Sequence, residues 1–176
     1  AIPFEIEADT PFRLDDIFVD WNLLRTEKSH AVVSATLAKR SQVAETLTRF
    51  QDAGCDPHVI EAEGLVLANL AGVFRLEGVH LLVDIGHEKT PSCAIADARP
   101  LIAHSIPVAG RAMTEAIAAE TGLSLEDAEQ RKLEGGALGR GGSPGSPGVL
   151  AIVDRIAREA MRTLEAAETG QGAGPV

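Results

Sequence analysis

Two short stretches carry residue types whose spacing could do chemistry. In Val83-Asp84-Ile85-Gly86-His87-Glu88-Lys89-Thr90 an Asp stands at a strand end, Gly86 follows two residues on, and Thr90 six residues on. A strand running into such a turn can offer backbone N–H groups to a phosphate, with Asp84 holding Mg²⁺ through water. A tight β-turn with a buried Asp writes the same letters. In Glu129-Gln130-Arg131-Lys132 the acid and the base stand at i, i+3, so on a helix both side chains reach one cleft. A surface ion pair worth about 0.2–0.5 kcal/mol reads identically. The other chemistries lack their spacing. The five histidines show no HxxxH or HExxH pattern for zinc, and no GxSxG marks an acyl nucleophile. The run Gly139-Arg140-Gly141-Gly142-Ser143 lacks the lysine of a P-loop.

The chain bounds what these residues can serve. It has 176 residues, 45% of them hydrophobic, which is long and apolar enough for a real core. No run of 18 apolar residues occurs, so no membrane-spanning helix is expected, and the acidic first residues do not read as a signal peptide. Lys and Arg number 16 against 26 Asp and Glu, a net charge of -10 that repels nucleic acid and anionic lipid. Six acids and one base, Arg13, fall between Glu5 and Asp20. That bias favours a basic protein partner at Asp15, Asp16 and Asp20, although a solvated face carries the same charge. Cys55 and Cys93 are unclustered, which suits a reducing compartment with both thiols buried; one disulfide between them is the alternative.

The elements that must position these residues can be read in order. Ile17 to Trp21 and Ala31 to Leu37 read as strands about the polar turn Thr26 to Ser29. Ser41 can cap a helix carrying Val43, Leu47 and Phe50 on one face, stopped at Gly54. His58 to Glu61 reads as a short strand, and Gly64 to Phe74 as a buried helix. Val79 to Gly86 reads as a buried strand, and with Cys93 to Ala96 and Leu101 to Val108 it makes a meander. A helix from Ala112 to Thr121 closes at Gly122, and a second is capped by Ser124 with Asp127 three residues on. Residues 135–148 read as a flexible Gly/Ser/Pro loop. Ile152, Ile156, Ala160 and Leu164 recur every four residues, as on an amphipathic helix, with Arg155, Arg158 and Arg162 off the stripe.

Taken in order, strand, DxG turn, two strands, helix and a helix bearing AExxK resemble the actin-like family of the type IV pilus assembly protein PilM and the type II secretion protein L, GspL. The resemblance is carried by AIPFEIEADTPF (1–12), DDIFVDW (15–21), AGCDPHVIEAEGLVLANL (53–70), LLVDIGHEKT (81–90), AGRAMTEAIAAETGLSLEDAEQRKLE (109–134) and DRIAREAMRTLEAAE (154–168). It implies an α/β, RNase H-like half of an actin-like fold. Residues 1–62 would be a small α/β subdomain and residues 63–176 the second-half core. It also implies cofactor contacts: Asp84, Gly86 and Thr90 as a phosphate loop, Glu129 and Lys132 at the ribose and adenine. The family's opening hairpin with its own phosphate loop has no counterpart here, nor has its closing strand, so the chain reads as a fragment without a cofactor of its own. Mg-ATP would then belong to the intact protein.

The resemblance leads to two functional expectations. One is a non-enzymatic scaffold module on the cytoplasmic side of a bacterial inner membrane, in a type II secretion or type IV pilus platform. It would dock the secretion or pilus ATPase and membrane partners, with pairing of two copies as a further option. The other is an actin-like ATP clamp with slow ATPase activity. His87, Glu88 and Lys89 stand where ATP-binding relatives favour small residues, and the carboxylate of Glu88 would repel phosphate. That leans toward the scaffold and the secretion side.

Overall fold

The structure is a computed structural model that describes residues 10–26, 28, 31–135, 138–139 and 145–169. The chain divides into two compact units between Ala62 and Glu63.

The first unit is a hairpin and a helix. β1 (Ile17–Thr26) pairs antiparallel with β2 (Ala31–Lys39), from Ile17 opposite Lys39 to Thr26 opposite Ala31, with a register shift between Leu23 and Arg25. The two-residue period gathers Ile17, Val19, Trp21 and Leu23 with Leu37, Ala35 and Val33 on one face. Ile17 is buried, whereas Trp21 and Leu23 are exposed. α1 (Arg40–Asp52) follows directly. It begins before Ser41, at a Lys39 N-cap that makes no side-chain bond, so Ser41 is not the cap that the sequence suggested. The Arg40 guanidinium instead lies 4.1 Å from the Phe18 ring centroid, a cation–π contact at the strand–helix corner. Gly54, at φ 75°, stops the helix, where a side chain would be strained. His58 to Glu61 form no strand. Four residues here have no neighbouring strand to pair with, and strand propensity alone does not make a ladder. Cys55 is exposed, against expectation, and both cysteines are free thiols.

The second unit is a three-layer α/β/α stack built on a three-stranded meander. β3 (Val79–Val83), β4 (Thr90–Ala96) and β5 (Arg99–Ile106) pair antiparallel in the order β3-β4-β5. Alternation along β4 separates two cores. Cys93 and Ile95 face the short helices α2 (Glu63–Val66) and α3 (Leu70–Phe74), joined by a 3-10 turn at Leu67–Asn69, through Ala68 and Ala71. The helix expected over 64–74 is therefore broken into three short pieces. Only Ala68 and Ala71 of these pieces are buried, while Val73 and Phe74 are exposed. On the opposite face, Leu81, Ile106 and Val108 pack on Ile152, Ile156 and Ala160 of α6 (Pro147–Thr169), the stripe read from the sequence. Burying Ile95 or Ile106 fully contributes about 1.5–3 kcal/mol each.

The buried strand of this meander is β4. β3 is an edge strand with Val79 57% and Val83 40% exposed, so the reading of Val79 to Gly86 as a buried strand fails. Place in the strand order decided burial, and the small residues Ser92, Cys93 and Ala94 let both helical layers close on the middle strand. The β4–β5 turn is made by Asp97 and Ala98, both at positive φ (47° and 63°). Asp97 is tied to Gly78 by two hydrogen bonds of 2.9 Å, Asp97 N–H to Gly78 O and Gly78 N–H to Asp97 Oδ1.

Two helices complete the unit. α4 (Gly110–Thr121) ends at Gly122, φ 71°, as the sequence indicated. α5 (Leu125–Leu133) opens on Ser124, whose Oγ accepts the Asp127 N–H at 3.1 Å. Ile117 of α4, Ala128 of α5 and Val149 of α6 close a third cluster. Within the glycine-rich stretch 135–148, residues 136–137 and 140–144 lie outside the described residues, as do residues 3–7. No described helix is long and apolar enough to cross a membrane.

Candidate functional site

The turn after β3 is held from several sides. Asp84 N–H donates to Pro91 O at 3.0 Å and Gly86 N–H to Lys89 O at 3.2 Å, which folds residues 84–90 back on β4. The loop then meets the N-terminus of α4. Gly110 N–H donates to Gly86 O at 3.0 Å and Arg111 N–H to His87 O at 2.7 Å. Helix N-terminal N–H groups lack intrahelical partners, and here loop carbonyls accept two of them. A Cβ on Gly110 would stand 3.1 Å from Gly86 O and 3.3 Å from Lys132 Nζ, so glycine is what allows this approach. Ion pairs fix the loop's flanks: Lys89 with Glu63, and Glu88 with Arg111 at 3.6 Å.

Beneath the loop lies a polar cluster that the sequence only half revealed. Lys132 Nζ donates to Glu129 Oε2 at 2.6 Å, to Thr114 Oγ1 at 2.9 Å and to Gly110 O at 3.1 Å. An ammonium has three donors, and each has an acceptor here. The Thr114 hydroxyl donates in turn to Glu129 Oε2. The Lys132 bond first, and the Thr114 bond next, hold the Glu129 carboxyl below its ordinary range, with the nearby His87 a smaller contribution. The Lys132 side chain is 17% exposed and that of Glu129 38%, so the pair lies partly at the surface, and its bonds to Thr114 and Gly110 O are what i, i+3 spacing alone does not describe.

The residues singled out by sequence fall as follows. Gly86, Glu129 and Lys132 are brought together through Gly110, and Asp84 sits at the base of the same loop. Asp84 is exposed, which removes the reading of a turn built on a buried Asp. Thr90 is turned inward. It is fully buried, and its hydroxyl donates to Val108 O at 2.7 Å. Thr114 and Gly110 were missed, although a Gly and a Thr four residues apart at the start of a helix share its face. The Thr90 hydroxyl is spent in the sheet, Lys132 is saturated, and Glu88 adds a carboxylate to the loop surface. No group of three metal-ligating side chains occurs among the described residues.

Asp15, Asp16 and Asp20 belong to the first unit, considered by itself. All three are exposed, Asp15 and Asp16 in a 3-10 turn just before β1. Arg13 lies 3.7 Å from Asp15, and Asp20 Oδ1 accepts the Trp21 N–H at 2.9 Å. Glu5, Glu7 and Asp9, the rest of the acidic run, lie outside the described residues.

Known proteins add one kind of information. No protein-family model matches the sequence, and no curated protein sequence matches it. Among solved structures, a chain of a PilM-PilN type IV pilus biogenesis complex is similar, with a TM-score of 0.73 and 24% identity over 98% of this chain. The match covers 54% of that chain, so the present chain spans about half its length. The mixed helix-and-sheet architecture is thus that of a PilM-like actin fold.

Proposed function

We propose that the chain is a scaffold module of a type IV pilus-type assembly platform, whose work is to bind platform proteins and not to turn over nucleotide. The observation that carries this reading is the likeness, along 98% of the chain, to a chain of a complex that builds pili. The polar cluster supports it. Lys132, Glu129 and Thr114 satisfy one another, and the α4 N–H groups of Gly110 and Arg111 are spent on the loop. A PilN-type partner is the first expected, with a pilus or secretion ATPase next, on the cytoplasmic side of a bacterial inner membrane. A place in type II secretion, as for GspL, is the neighbouring form of the same proposal. Asp15, Asp16 and Asp20 are the proposed contacts for a basic partner.

A second reading has its own observation. Gly86, Gly110, Glu129 and Lys132 do converge at the end of β3 that bears Asp84. An actin-like protein that binds Mg-ATP would use this corner, with Asp84 and Lys132 as its charged groups. Two titrations separate the readings. Mixing the chain with a PilN-type protein should give a complex, and titrating Mg-ATP should give no heat at micromolar concentrations. Micromolar Mg-ATP binding that Asp84→Asn abolishes would replace the scaffold reading with the second.

A further inference from the structure

The two edges of the three-stranded sheet are finished differently. β5 begins with Arg99 and Pro100, and its register on β4 shifts between Ala94 and Ile95. Helix α2 also lies close over it, since a Cβ on Gly64 would stand 2.8 Å from Ala103 Cβ. Charge, proline, a bulge and a covering helix are means of keeping a strand edge from pairing. β3, Val79-His80-Leu81-Leu82-Val83, carries no Lys, Arg, Asp, Glu or Pro, and its register on β4 is unbroken. Asp84 N–H donates to Pro91 O, and Gly78 O accepts the Asp97 N–H, so the even-numbered residues from 78 to 84 bond toward β4. By the alternation of an antiparallel ladder, the N–H and C=O groups of Val79, Leu81 and Val83 point away from it. No further hydrogen bond reaches them among the described residues. Their side chains share one face, with Leu81 packed toward α6 and Val79 and Val83 exposed.

We propose that β3 is a self-pairing edge, through which two copies of the chain join their sheets antiparallel across a two-fold axis at Leu81. Such an axis sets outward-facing residues against outward-facing residues: Leu81 opposite the partner's Leu81, and Val79 opposite the partner's Val83. Each pair exchanges both N–H···O bonds. The two exposed valines then cover each other, and no charge within the strand meets a like charge. That fit of the strand to its own reverse is why the occupant is a second copy. Helix α6 lies mainly over β4 and β5, which leaves the joining edge open. A five-residue edge buries less than the about 1,600 Å² of a standard interface, so the dimer is a weak one. Each copy carries a net charge of -10, so salt strengthens the pairing. The inference rests on the sheet and on neither reading of function.

Sedimentation of the whole chain over about 10–500 µM tests this, with two double variants that separate pairing from folding. Wild type should pass from monomer to dimer, more readily at high salt. Val79→Lys with Val83→Lys sets positive charges opposite each other in both outer pairs and should abolish the dimer. Val79→Lys with Val83→Glu sets opposite charges there and should dimerise again. Within one chain the two positions are four residues apart on a strand and do not meet, so folding treats both variants alike. In wild type, amide exchange at Val79, Leu81 and Val83 should slow about fivefold from the lowest concentration to the highest. A monomer throughout would overturn the proposal, as would equal association of the two variants. Slow exchange at those amides at every concentration would also overturn it, by showing that a strand of the same polypeptide occupies the edge.

Discussion

Replacing Gly110 by alanine tests how tightly helix α4 is drawn against the loop. The added Cβ would stand 3.1 Å from Gly86 O, 3.3 Å from Lys132 Nζ and 3.9 Å from His87 Cα, where ordinary contact begins at 3.4 Å. Lys132 is a flexible side chain and can yield a few tenths of an ångström. Gly86 O cannot yield so freely, because it accepts the Gly110 N–H at 3.0 Å. Crowding of this kind costs about 1–3 kcal/mol. Alanine recovers at most about 1 kcal/mol of helix propensity, and less at a first helical position. The net expectation is a loss of about 1–2 kcal/mol, or a fall in Tm of roughly 3–10 °C. Gly72→Ala is the matched control. Gly72 is helical and a Cβ there meets nothing within 4 Å, so the same change should raise stability by about 0.4–1 kcal/mol. Thermal melts followed by circular dichroism read both. A Gly110→Ala protein as stable as wild type would refute the tight approach, and with it the coupling of loop to helix.

Other expectations follow from the same geometry. Ala98 sits at φ 63°, so Ala98→Gly should stabilise by about 0.5 kcal/mol and Ala98→Val should destabilise, both visible in the same melts. Cys55 is exposed whereas burial pushes the Cys93 thiol up to about 11. A thiol reagent at pH 8 should therefore label one cysteine in the native chain and two after denaturation. Glu129 has a folded pKa below its unfolded one, so the stability it adds is present above the unfolded value and is lost as pH falls through the folded one. Glu129→Gln should accordingly flatten the acid limb of a stability-against-pH curve. Reversing Asp15 and Asp16 to lysine should weaken a basic platform partner in a salt-dependent manner, and unchanged affinity would show that this turn is not its contact.

The meander and the helices around it were legible because their signals are local. Ser124 with Asp127 marked the start of α5, Gly122 the end of α4, and the four-residue spacing from Ile152 to Leu164 the buried face of α6. What escaped depends on the order in which strands pack. Val79 to Val83 is the most apolar run of the sheet, yet it lies at the edge because β4 comes between it and β5. Thr90 looked like a loop hydroxyl until register made it the first residue of the central strand, where its hydroxyl finds Val108 O. At the candidate site, the Glu129 and Lys132 pair was visible as spacing on one helix. Its third member, Thr114, stands 15 residues from Glu129 in the chain, and only the packing of α4 on α5 brings it there.

The most direct test of the scaffold reading is one calorimetric titration of a PilN-type platform protein into the chain, performed with and without Mg-ATP. The scaffold reading predicts binding of the same affinity in both solutions, with Lys132, Glu129 and Thr114 still bonded to one another. Binding seen only with Mg-ATP present would contradict it, and would make nucleotide the regulator of docking.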